Sequence, residues 1–115
     1  MEAHELADLL EARSRANQRY VEFLRVPSLS AGIYELPKDG KDLQTPHDED
    51  ELYHVVQGRA TIRVGQEDQE VRPGTLIFVP ARVEHRFHRI RQAFSLVVFF
   101  APAEGSKARR IRHSR

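Results

Sequence analysis

Apolar residues near the start of the chain recur at helical spacing, with Leu6, Leu9 and Leu10 in an i, i+3, i+4 relation and Ala3, Ala7, Ala12 and Ala16 between them. This predicts a helix over residues 3–19. Its apolar stripe is narrow and ends near Arg13, so the helix is expected to lie against the outside of a sheet or against a second subunit. From Tyr20 the signals change to strand. Strands are predicted at Tyr20–Val26, Ser30–Leu36, Glu51–Val56, Ala60–Val64, Glu70–Arg72, Leu76–Val79, His85–Ile90 and Phe94–Phe100. Turn residues bound them: Pro27, the run Pro37-Lys38-Asp39-Gly40, Gln57-Gly58, Gly65, Pro73-Gly74 and Pro80. Many short strands after a single helix, with no alternating βα units, indicate an all-β sandwich or barrel. The last strand is apolar at nearly every position, so it should be covered on both faces. That is the reason to expect a homodimer.

Composition narrows the functions open to such a barrel. The 115 residues are enough for one domain. The expected organisation is a helix over 1–19, a barrel over 20–102 and a basic, disordered tail over 103–115. There is no cysteine, which removes disulfides, thiolate metal sites and thiol nucleophiles. No apolar run is long enough to span a bilayer, and Glu2, Glu5 and Asp8 do not suit a signal peptide. A cytoplasmic location is therefore expected, with no membrane partner. The net charge of +1 hides an asymmetry: after Ala103 come Lys107, Arg109, Arg110, Arg112 and Arg115, with Glu104 the one acid. The tail has no aromatics and no helical pattern. It is expected to be a solvated terminus, and nucleic acid is not the expected partner.

The chemistry is concentrated in two segments. In Thr45-Pro46-His47-Asp48-Glu49-Asp50-Glu51 a histidine precedes a carboxylate by four positions, and a strand then runs to Gly58. Downstream come Gly74, Pro80 and His85. Together they offer two imidazoles and a carboxylate, a set suited to a divalent first-row metal with open coordination positions. Side chains alternate across a strand, so Glu51 and Tyr53 share a face, as do His85, Phe87 and Arg89. If Glu51 and His85 point inward, His54 and His88 point outward. A bulge would reverse the assignment.

These residues resemble the two motifs of the cupin superfamily. The first reads Gly-x5-His-x-His-x3,4-Glu-x6-Gly. Here His47, Glu51 and Gly58 match, Thr45 stands at the first histidine, and Gly40 lies outside its expected place. The second reads Gly-x5-Pro-x-Gly-x2-His-x3-Asn. Gly74, Pro80 and His85 match, with Arg82 replacing the glycine and Arg89 the asparagine. The chain is similar to small single-domain bacterial cupins of the type-2 conserved-barrel kind. The resemblance implies a cupin-like (double-stranded β-helix, or jelly-roll) barrel with one N-terminal helix. It also implies a metal held by His47, Glu51 and His85, whether Fe, Mn, Ni, Cu or Zn. Thr45 or Gln44 would then touch the metal or its water, though Gln44 has the wrong parity in a regular strand.

Blander readings stand beside each of these. The barrel could have inherited a polar interior and bind no metal, although three convergent ionisable groups without partners are costly to bury. The run Asp48-Glu49-Asp50 is expected to be a solvated loop. Tyr53 and Phe87 are core aromatics or substrate contacts, and Arg89 is a contact for an anionic substrate or a rim ion pair. Two functions remain open, so the sequence does not decide whether the chain is an enzyme. One is a metal-dependent enzyme on a small molecule, with dioxygenase or isomerase chemistry implied by the resemblance. The other is a non-catalytic module that binds a small ligand or metal as sensor or store.

Overall fold

The predicted strand segments form eight strands behind one helix: α1 (Leu6–Ala16), β1 (Tyr20–Val26), β2 (Leu29–Leu36), β3 (Asp50–Gln57), β4 (Ala60–Val64), β5 (Glu67–Val71), β6 (Leu76–Val79), β7 (His85–His88) and β8 (Phe94–Ala101). The computed structural model describes residues 1–105. Helix α1 is shorter than its spacing predicts. Asn17 turns left-handed at φ 54° and stops it, Glu5 supplies no side-chain cap, and none of its residues is buried. The helix is held to the barrel by Arg13, which donates to the Gln18 carbonyl at 3.0 Å and pairs with Glu35 of β2 at 2.6 Å.

The strands form two antiparallel sheets, ordered β1-β2-β8-β3-β6 and β5-β4-β7. This is the expected jelly-roll barrel. Strand β8 lies between β2 and β3, with Val98 opposite both Gly32 and Tyr53. It is therefore central in its sheet, which explains its almost wholly apolar sequence. Alternation along β3 puts Glu51, Tyr53 and Val55 inside and leaves Asp50, Leu52 and His54 outside. Most of the interior is solid. Leu36, Tyr53, Phe87, Ile90, Phe94 and Leu96 are essentially inaccessible to solvent and belong to one apolar cluster. Phe87 packs edge-on against Tyr53, with ring centroids 5.1 Å apart.

Gly58 shows why the strand after Glu51 must end in glycine. Its φ is +85°, and a Cβ there would strike the Ala93 carbonyl oxygen and come within 2.9 Å of Phe94 Cα. Past β8 the chain folds back: Ala103 is buried, and the Glu104 amide donates to Ser30 Oγ at 2.8 Å. The basic residues expected in the tail, Lys107 onward, lie outside the described residues.

Candidate metal centre

The site is assembled from two strands and an irregular segment. Glu51 is the second residue of β3, and His85 is the first of β7. His47 comes from the irregular segment between β2 and β3, so strand parity does not govern it. That segment is pinned instead. The His47 carbonyl accepts from the Arg82 amide at 2.6 Å, and Asp50 Oδ1 accepts from the Ala81 amide at 2.8 Å. Both bonds tie the first motif to the turn that precedes β7.

One ligand atom from each of His47, Glu51 and His85 lies within 4.8 Å of the others. His85 Nε2 is 3.1 Å and His47 Nε2 is 3.7 Å from Glu51 Oε1. The second distance is too long for a hydrogen bond. His47 Nε2 and Glu51 Oε2 are buried with no hydrogen-bond partner. Donors bound at roughly 2.0–2.2 Å to one zinc-like ion stand roughly 3–4 Å from each other. The spacing, the orphaned atoms and the donor chemistry therefore fit a divalent metal.

His85 is oriented for such a role. Its Nδ1 donates to the Val83 carbonyl at 2.9 Å, which leaves Nε2 as the free lone pair of the neutral ring. Nε2 also lies 3.0 Å from the Tyr53 hydroxyl. Burial works against charging this imidazole. Its hydrogen bonds to Glu51 and to the Val83 carbonyl outweigh that, and its pKa lies above the ordinary histidine value. The Tyr53 phenol is pushed well up, first by burial and then by the Glu51 charge, so it stays protonated.

Behind Tyr53 runs a polar chain that periodicity does not reveal. The Tyr53 hydroxyl is 3.3 Å from Gln44 Oε1, and Gln44 Nε2 donates to Asp42 at 3.0 Å. Buried Asp42 also accepts from the Tyr34 hydroxyl at 2.9 Å and from the Phe87 amide at 2.9 Å. Three other residues reach the site without a motif to mark them. Glu104 Oε2 lies 3.8 Å from His47 Nδ1, too far for a hydrogen bond. The Glu104 carboxyl is itself raised, chiefly by burial. Phe100 meets the His47 ring at 5.1 Å. Tyr20 lies across Gly32, and its buried hydroxyl has no partner. Burial, followed by the charge of Glu104, raises its pKa.

Several expected contacts need correction. Thr45 is exposed and makes no hydrogen bond to His47, Glu51 or His85. Gln44 uses its carbonyl oxygen on Tyr53 and its amide on Asp42, so it braces the site from behind. Arg89 does not share the face of His85. Strand β7 ends at His88, Arg89 turns left-handed at φ 51°, and its side chain is exposed. Phe87 is 1% exposed and packs behind Tyr53 in the core. Glu49 is only 3% exposed, where a solvated loop was expected. His54 and His88 do face outward, and His88 pairs with Asp68 at 3.1 Å.

Comparison with known proteins identifies the fold. The family model described as "Cupin domain" matches residues 32–101. An "uncharacterized protein" of Streptomyces coelicolor is 45% identical over 98 residues, covering 84% of this chain and 93% of its own length. A Thermus thermophilus protein of known structure superposes with a TM-score of 0.71 at 23% identity, over 90% of this chain and 99% of that one. A Bacillus halodurans structure gives a TM-score of 0.73 at 15% identity, over 89% and 82% of the two chains. Identities this low in the structures speak for the fold alone. The family match spans both motif segments and the strands that carry Glu51 and His85, and the chain belongs to the cupin family.

Proposed function

We propose that this cupin binds a divalent transition metal through His47, Glu51 and His85, and uses it to act on a small molecule. One observation carries the reading: two buried donor atoms, His47 Nε2 and Glu51 Oε2, lack partners and converge with His85. Leaving donors of this kind unmatched in a small barrel is costly unless a cation satisfies them. Two imidazoles and a carboxylate leave coordination positions for a small molecule, and a metal bound there supplies Lewis-acid or redox chemistry of the dioxygenase or isomerase kind. The protein's own groups hold the site in register. Val83 fixes the His85 tautomer, while Gln44 and Asp42 hold the protonated Tyr53 hydroxyl at its edge.

The test is metal content by mass spectrometry on untagged protein purified without chelator. About one transition-metal ion per chain is expected, lost in His47→Ala. Metal-free protein after reconstitution, or unchanged stoichiometry in His47→Ala, refutes the site. The non-catalytic alternative is favoured by a different observation. Glu51 is taken up as a ligand and Tyr53 is held protonated, so neither is a free general base. Thermal stabilisation by a ligand that the metal-loaded protein never converts would select that reading.

We also propose that the protein is a homodimer built on the outer face of the five-stranded sheet. Leu52 there is flanked across the sheet by Phe78 and Phe99, and Phe78 is 59% exposed. A two-fold contact would cover this self-complementary apolar strip with its own copy.

A further inference from the structure

At the end of the barrel away from His47, Glu51 and His85, three loops bring arginines around one basin. Arg59 lies between β3 and β4, Arg72 follows β5, and Arg91 lies between β7 and β8. They line a cavity of about 550 Å³ with Glu70 and Thr75 in its wall. Ala60 and Val71, both buried, back the wall. Glu51 lies near the start of β3 and Gln57 ends it, so at about 3.3 Å rise per residue the basin is on the order of 20 Å from the metal centre.

Four features mark the basin as a built site. Among the described residues, none of the three guanidinium groups has an ion pair or a hydrogen bond. With Glu70 the lining carries three positive charges and one negative, an excess that matches a dianion. The backbone is fixed beforehand. The Arg91 amide donates to the Arg59 carbonyl at 2.9 Å, and Gly58 beside Arg59 is packed against Ala93. The turn at Arg72 is closed in the same way: the Arg72 amide donates to Thr75 Oγ at 3.1 Å, and the Thr75 amide returns to the Arg72 carbonyl at 2.9 Å. The Thr75 hydroxyl proton has no acceptor among the described residues, so it is available to a ligand.

We propose that this basin binds a small organic phosphate monoester. Its dianionic head is held by the forks of Arg59, Arg72 and Arg91 and by the Thr75 hydroxyl. Planar guanidinium groups on pre-set backbones suit a phosphoryl group, because each presents paired N–H donors to neighbouring oxygens. The site is independent of the metal centre and does not rest on the metal reading.

The test is a nitrogen-15 amide NMR titration with phenyl phosphate at constant ionic strength, on the wild type and on His47→Ala. Saturable shifts centred on Arg59, Arg72 and Arg91 are expected in both, with Kd below about 1 mM. Arg59→Ala with Arg91→Ala should weaken binding about tenfold or more, while Arg86→Ala on β7 should leave it unchanged. Binding lost in His47→Ala would reassign the anion to the metal centre and overturn the proposal. So would equal affinity for malonate, a dicarboxylate of similar charge. Shifts that fail to saturate by about 10 mM would show ordinary surface screening and likewise overturn it.

Discussion

Tyr20 and Tyr53 both bury a hydroxyl, and the two should respond oppositely to losing it. The Tyr53 hydroxyl is bonded to His85 and stands beside Gln44, whereas that of Tyr20 has no partner. Tyr53→Phe is expected to cost about 1–2 kcal/mol in denaturant unfolding. Tyr20→Phe should be neutral or stabilising by up to about 1 kcal/mol, since an unsatisfied buried hydroxyl already carries its desolvation cost. Equal losses in the two variants would mean that Tyr20 is bonded after all. Asp42 is the most exacting residue of the three. It accepts from Tyr34, from Phe87 and twice from Gln44, while only 9% exposed. Asp42→Ala should lower stability by about 3 kcal/mol or more, because four donors lose one acceptor. It should also weaken metal binding, since the segment that carries His47 is anchored there. Isothermal titration with zinc, alongside the unfolding midpoint, reads both effects.

Among the elements, the turn before β7 and the end of β3 carry the informative backbone. Arg82 sits at φ 65° and Arg89 at φ 51°, so the two positions where the second motif has glycine and asparagine are both left-handed here. Glycine and asparagine are the residues that tolerate this conformation best. Arg82→Gly is therefore expected to stabilise the fold by about 1 kcal/mol, measured by the urea midpoint; a loss of stability would show that the arginine side chain contributes more than its backbone costs. Gly58→Ala should do the reverse, at about 2 kcal/mol or more, since it combines a positive φ with a clash against Ala93 and Phe94. The two glycine exchanges thus test the motif as backbone chemistry, apart from any ligand.

For the whole molecule, the open question is which face meets another chain. Among the described residues, no helix is long and apolar enough to cross a membrane. The exposed apolar strip of Leu52, Leu76 and Phe78 lies on the sheet that holds β8. If a second copy covers it, Phe78→Asp should give a monomer by light scattering coupled to size exclusion, with a thermal midpoint that no longer depends on protein concentration. A monomeric wild type at micromolar concentration would refute the dimer. The charge on the two ends of the barrel also differs in kind. The metal end gathers His47, Glu51, Glu49 and Glu104, and the other end gathers Arg59, Arg72 and Arg91.

Strand and turn signals located all eight strands, with β1, β4 and β6 matching residue for residue, because both kinds of signal are local. Parity on β3 and β7 put Glu51 with Tyr53 and His85 with Phe87 on one face, opposite His54 and His88, and the structure turns that face inward. Parity failed at Thr45, Gln44 and Arg89, where the backbone is not a strand: the first two lie in an irregular loop, and Arg89 turns left-handed after His88. Glu49 and Asp42 look like surface acids in sequence, since nothing local marks an acid as buried. The chain by itself determined the strands, the barrel class and the residue types of the candidate metal set. Tertiary structure alone decided that Asp42, Gln44 and Tyr53 form one polar chain behind His85, that Tyr20 fills the space left by Gly32, and that three distant arginines share a basin. Those relations join residues far apart in sequence, and they exist only once the register between strands and the path of the loops are fixed.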